Sequence, residues 1–464
     1  MPSFEAWWDT DEVQGEEPIF PKVEELEINR CKSLTALPRA VSVIIESSGG
    51  VGTKCRSAFP ALMKMELCDL DAFHKWETVE GTVGEEGTVG EEVTFPCLKE
   101  LSIMSCRSLS TLPKGPLLVK QSSGGAETVC HRSAFPSLRK LDLSHLSVLE
   151  GWGAVEGAPG EEVTLFPLLE VLTIWNCPML TELPEAPKLI VLTIKGRSGQ
   201  QISLQAAGRY IPSLSSLTLD VSPDDTERTL LHAKQKWNHQ LPMADMKLFR
   251  CNIWFSSDSS ALALWTCFAQ IVDLSISGCN VLVYWPENVI QALVSLRKLE
   301  ISRCSKLTGR TQTSDEQSAP ALELGALRPR LESLLIDACA SLVEVPSLPV
   351  SLKTLDIDSC ESLKSIIFSQ QEAPRLVIGE GVVHLDMSSL IPGSSSSEAT
   401  SSTAVPNLSS TAHHSFLPCL ESLTVRSCDG LSEVANLPPS INTLEIYECG
   451  NLLSLSGLLD ALKN

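Results

Sequence analysis

The stretch "FPCLKELSIMSCRSLSTLP", residues 95–113, carries the pattern on which the fold turns. Leu101 and Ile103 alternate with other residues at period two, the signature of a short strand with one buried face. Cys106 follows three residues after Ile103, and Leu109, Leu112 and Pro113 close the phrase. The phrase F-P-x-L-x-x-L-x-I-x-x-C-x-x-L-x-x-L-P begins also at Phe20 and Phe166, and it returns without its Phe at Pro329, Pro349 and Pro438. A sister form, with Leu for Cys and Trp for the closing Leu, covers residues 59–76 and 135–152. Self-similarity at this length is the mark of a stacked architecture in which each unit touches only its neighbours.

With the second Leu of L-x-x-L-x-L as the marker, fifteen units are counted: Leu26, Met65, Leu101, Leu141, Leu172, Leu192, Leu217, Met246, Leu274, Leu299, Leu334, Leu355, Leu385, Leu423 and Leu444. Met246 and Leu385 fit the pattern least well. This is the leucine-rich repeat, and it has a mechanical reason. Each L-x-L forms a short strand, the Cys turns the chain inward, and L-x-x-L-P returns along the other side on an extended path that suits proline. No coil buries its leucines alone, so the coils stack. The expected fold is an α/β solenoid: a curved leucine-rich-repeat horseshoe with an inner parallel β-sheet about 70 Å along its arc, and irregular outer loops and short helices.

Markers lie from 20 to about 40 residues apart, against a usual span of about 20 to 29 for one coil, so several coils carry insertions. These are expected near 77–93, 150–163, 308–325 and 391–415. The first two are Gly/Glu tracts and the last is Ser-rich. Residues 1–17 are expected to end a truncated preceding repeat, and 18–464 to form one repeat domain of about fifteen coils. Phe20–Thr94 and Phe95–Leu165 look like a duplicated pair of coils. Helix is expected on the outer side at 222–240, where a Ser cap is followed by Pro and acids, and in shorter form at 259–270 and 286–296.

The duplication also disposes of a nucleotide site. "SVIIESSGGVGTKC", residues 42–55, runs a β-branched strand into glycines and a lysine, but the G-x-x-x-x-G-K-[ST] spacing fails at Ser47 and Thr53. The parallel copy at 121–138 has lost the lysine, so the stretch reads as a repeated loop. The formal charge of −21 argues against wrapping nucleic acid or lying on an anionic membrane, and an electrostatic partner should carry a basic patch. The sixteen cysteines recur mostly at one place, Cys31, Cys106, Cys177, Cys279, Cys304, Cys339, Cys360, Cys428 and Cys449, and read as reduced core thiols. There is no C-x-x-C pair, H-E-x-x-H or nucleophile elbow, and no apolar run of membrane-spanning length. The expectation is a soluble, cytoplasmic, non-enzymatic chain with no cofactor, no metal and no small-molecule partner.

What remains is the inner sheet face. Its exposed positions fall two residues before each marker, one after it, and at the two residues following the next apolar one. Against the acidic whole, a basic group concentrates between Lys247 and Arg303. The residues assigned to protein binding are Trp175, Lys247, Phe249, Arg250, Arg297, Lys298, Arg303, Lys353, Arg426 and Tyr447, with the three aromatics as anchors.

The two alternating repeat forms, as in "FPKVEELEINRCKSLTALP", "FPLLEVLTIWNCPMLTELP" and "LDLSHLSVLEGW", resemble the irregular repeats of plant intracellular nucleotide-binding leucine-rich-repeat immune receptors, the coiled-coil class of cereals above all. The resemblance covers residues 18–464. It implies recognition of a pathogen effector or a guarded host protein, and contact with a receptor's switch domain if the chain belongs to a longer one. Nucleotide binding is not carried over, since no phosphate loop is present. Two alternatives are a substrate adaptor of a ubiquitin ligase, which would need an F-box-like segment ahead of the repeats, and a non-functional receptor fragment.

Overall fold

The structure of the chain, a computed structural model, describes residues 20–37, 41–47, 50–56, 58–74, 76, 95–113, 117–121, 127–131, 134–152, 165–196, 207–220, 241–255, 265–310, 330–346, 348–368 and 417–456. Fourteen five-residue strands form one parallel sheet in chain order, from Glu25–Asn29 to Thr443–Tyr447. The register matches marker to marker: Leu101 lies opposite Leu141, and Leu141 opposite Leu172. In the strand Glu100–Met104 the marker and the residue two beyond it are buried, while the first and last residues are exposed. The chain therefore forms the curved leucine-rich-repeat solenoid that the period implies.

Fourteen of the fifteen markers occupy these strands. Leu385 lies outside the described residues, but the strands on either side of it, Thr354–Asp358 and Ser422–Arg426, pair directly with each other. Among the described residues the sheet thus carries no rung between these two strands.

The inward turn is made one residue earlier than the cysteine. Twelve of the fourteen strands are followed by a residue in the left-handed region, including Arg30 (φ 57°), His145 (φ 56°), Ala338 (φ 49°) and Glu448 (φ 52°), with Gly278 (φ 65°) the one glycine among them. Such a conformation costs a non-glycine residue about 1–2 kcal/mol. It is held because the N–H of the turning residue continues the ladder onto the next rung: Ser105 N donates to Ser144 O at 2.9 Å, and Ala338 N to Asp358 O at 2.9 Å. The cysteine that follows donates its thiol hydrogen back to the strand end, as Cys177 does to Trp175 O at 3.7 Å, and to the preceding coil, as Cys177 does to Leu143 O at 3.6 Å.

One continuous apolar core fills the space between sheet and returns, with Leu101, Leu141, Leu172, Leu192 and their equivalents essentially inaccessible. The Phe rings of the F-P units stack, Phe20 on Phe59 at 5.1 Å, Phe95 on Phe135 at 5.6 Å and Phe135 on Phe166 at 6.0 Å between ring centroids. The closing Trp of the sister form packs edge-on against this column, Trp76 on Phe95 and Trp152 on Phe166. Edge-to-face and offset pairs of this kind add about 0.5–1.5 kcal/mol beyond the area they bury.

The outer side carries short elements. A helix spans Glu287–Ala292, within the expected 286–296, and a 3-10 turn spans Thr266–Phe268, within 259–270. The expected helix at 222–240 lies outside the described residues, as do residues 1–17, 77–93, 153–160, 311–325 and 391–415. On three C-terminal coils the return forms a ladder instead of a solitary extended path: Ser365–Ile367, Glu433–Ala435 and Ser454–Leu455 make a second parallel sheet. Two antiparallel hairpins, Val41–Ser47 with Gly50–Arg56 and Leu117–Gln121 with Glu127–His131, take equivalent places in the duplicated halves. The glycine-rich stretch thus enters a second strand rather than the helix a phosphate loop requires.

Candidate functional site

Along every rung, the side chains of the first, third and fifth strand residues point to the inner face, followed by that of the turning residue. The fifth and turning positions of neighbouring rungs form a column along one border of the face. In its central part His145 and Trp175 lie ring to ring at 4.8 Å, and the Asn176 amide is 3.1 Å from His145 Nδ1. Trp175 is opposite Lys195 in the register, and Asp220 is opposite Phe249. The Lys195 ammonium lies 5.2 Å from the centroid of the Phe249 ring.

Arg250 is anchored rather than free. Its Nε and a terminal nitrogen both reach Asp220 Oδ1, at 2.8 and 2.7 Å, and it also donates to the Gly196 carbonyl. The fold thus brings together Trp175, Phe249 and Arg250 of the expected site, and adds His145, Lys195 and Asp220. Phe249 is half-buried, while Trp175 is 48% exposed and offers the larger contact.

The other expected basic residues lie further along. Arg297 and Lys353 share the Glu332 carboxylate, at 3.4 and 3.0 Å, along the opposite border. The Lys353 hydrogen bond draws Glu332 below the usual carboxylate range, and the same bond lifts Lys353. Lys298 is 4.0 Å from Asp273. Lys247 and Arg303 are exposed, and among the described residues neither has an ion-pair partner. At the C-terminal end Arg426 lies over the Tyr447 ring at 5.7 Å and bonds Glu445 at 3.3 Å. The expected basic group is therefore two stretches: one centred on Lys195, Lys247 and Arg250, and one on a shared-carboxylate rail.

The cysteines sit at the junctions between coils. Burial pushes the Cys106 thiol up to about 12 and that of Cys177 up to about 11, so both stay protonated at neutral pH. Cys360, hydrogen-bonded to Cys428 and buried, is pushed up as well. Cys251 holds the same place, though the weak Met246 unit hid it. Among the described residues no group of three or more His, Cys, Asp or Glu side chains is placed to hold a metal ion. No described helix is long and apolar enough to cross a membrane.

The sequence matches no family model. A probable disease resistance protein of Arabidopsis thaliana, RF9, is 30% identical over 202 residues, covering 36% of this chain and 16% of that protein. Two others from the same plant, At1g58390 and At1g59620, are 38% identical over 77 residues and 39% over 94. The repeats are similar to those of plant disease resistance proteins. The matched segments span only 16%, 8% and 10% of these resistance proteins' own lengths. A solved TLR13-ssRNA13 complex overlays 93% of this chain and 55% of that one at 12% identity, but its TM-score of 0.25 is too low to carry an argument.

Within these resistance-protein-like repeats the position rule already marks Lys195, two residues past Thr193. Its coil lacks the cysteine that marks most units, so the signal there is weaker. Asp220 was harder to see. Its importance lies in an ion pair with a residue 30 positions away, and only the register reveals it.

Proposed function

We propose that this chain is the non-catalytic recognition part of a cytoplasmic plant immune receptor, binding a pathogen effector or a guarded host protein on the inner face of its sheet. The supporting observation is a face of fourteen in-register rungs whose side chains vary freely while the leucines beneath them stay buried. A partner favouring one state of a longer receptor would shift its balance by the difference in affinity between states. The similarity to disease resistance proteins supports the same reading.

The test uses the whole chain against a panel of secreted pathogen effectors, with binding read by co-precipitation. Lys247→Glu together with Arg303→Glu removes two exposed cations that hold no carboxylate, so the thermal midpoint should stay unchanged while binding of any captured effector falls. Effectors that bind the double variant and Trp175→Ala as well as the parent chain would reject the inner face.

A further inference from the structure

Three consecutive rungs of the inner face form its longest uncharged run; the two other rungs uncharged at the same positions, Ser333–Asp337 and Ser422–Arg426, each stand alone between charged ones. On Val171–Trp175, Val191–Lys195 and Ser216–Asp220 the first and third positions carry no charge: Val171 and Thr173, Val191 and Thr193, Ser216 and Thr218. The register sets Thr193 between Thr173 and Thr218, and Val191 between Val171 and Ser216. The rungs on either side are charged at the same places, with Lys140 and Asp142 before and Asp245 and Lys247 after. The result is a neutral floor about 14 Å long. It is bordered on one side by Trp175 and on the other by Ile190, which is 44% exposed.

The charges at the border are not equivalent. Asp220 is engaged by Arg250 and is only 15% exposed, and Asp245 accepts a hydrogen bond from Ser216 at 3.1 Å. The acids here are satisfied within the protein. Lys195 rests on the Phe249 ring and Lys247 stands exposed, and neither has a carboxylate partner among the described residues. An arriving cation would find its carboxylates already bonded, whereas an arriving anion would find two ammonium groups beside apolar surface. Two isolated cations in a chain of charge −21 do not make the continuous basic stripe that a phosphate backbone needs.

We propose that this floor and its border bind an acidic segment of a partner protein. Apolar side chains lie against Val171, Val191, Ile190 and Trp175, and a carboxylate reaches Lys195 and Lys247. This rests on the reading of the inner face as a recognition surface and specifies where on it, and by what chemistry, contact is made.

The probe is a library of short random peptides displayed on phage and selected on the intact chain. Enriched peptides are then made synthetically and their affinity measured by fluorescence anisotropy. The expected winners place Asp or Glu beside Leu, Ile or Phe. They should lose more than about tenfold in affinity with Trp175→Ala, and again with Lys195→Gln plus Lys247→Gln. Both sets alter exposed or half-buried side chains, and an unchanged circular dichroism melt confirms folding. No enrichment, basic winners, or affinities within about twofold in both variants would overturn the proposal. Peptides that instead lose affinity with Arg303→Glu or Arg426→Glu would sink this site yet leave the inner face standing. Peptides indifferent to every inner-face variant would sink both.

Discussion

At the scale of the residue, the turning position and the cysteine beside it decide how each coil closes. Ala338 adopts φ 49° with no polar side chain to compensate. Ala338→Gly should therefore raise stability by roughly 0.5 kcal/mol, relief of left-handed strain outweighing the entropy that glycine adds to the unfolded chain. Ala338→Val should lower it by more than about 1 kcal/mol, and urea melts of the two variants should move in opposite directions. The thiols predict a pH dependence. Burial raises Cys106 and Cys177 above the ordinary thiol value of 9.0, to about 12 and about 11. The native state keeps protons that the unfolded chain releases, so this contribution is complete below pH 9 and is lost as pH climbs toward 11 and 12. Thermal midpoints should fall over that window, and less steeply in a Cys106→Ala, Cys177→Ala variant. The cysteines' burial was legible from their recurrence in the sequence. Their hydrogen bonds to the preceding coil were not, because those depend on how the coils stack.

At the scale of the element, the strand alternation was legible because period two and a buried face are local properties. Leu101, Leu141 and Leu172 could be placed on neighbouring rungs from spacing alone. The aromatic column was only half visible: the F-P repeats announced themselves, but not that successive rings would stack or that Trp76 would close over Phe95 and Phe135. Phe135 touches both neighbours in the column and is 1% exposed. Phe135→Ala should cost about 3–5 kcal/mol. Because each coil leans on its neighbours, the loss should show in hydrogen exchange over the rungs of Leu101, Leu141 and Leu172 more than at Leu423. Leu385 lies outside the described residues, so its unit stays an expectation from the sequence.

At the scale of the whole molecule, chain distance and spatial distance part company. The strands Thr354–Asp358 and Ser422–Arg426 are neighbours, and the returns behind them pair too, although residues 369–416 intervene. Replacing residues 371–414 with a flexible Gly/Ser linker should leave far-ultraviolet circular dichroism of the sheet intact. Each halving of that length should alter stability by only about 0.6 kcal/mol. A collapse of the melt into separate transitions for the two sides would contradict the direct pairing. The candidate site was legible in its positions and not in its electrostatics. Arg250 and Arg297 were marked as exposed cations, but their partners Asp220 and Glu332 lie 30 and 35 residues away, at separations set by irregular coil lengths.

All fourteen strands run across the long direction of the stack, and this has a mechanical consequence. Traction applied to the two ends passes in full through every seam between rungs, so the weakest seam parts first and relieves the others. Such an object gives way like a zip, in a staircase of small extensions, and it re-forms in the same steps when the pull is released.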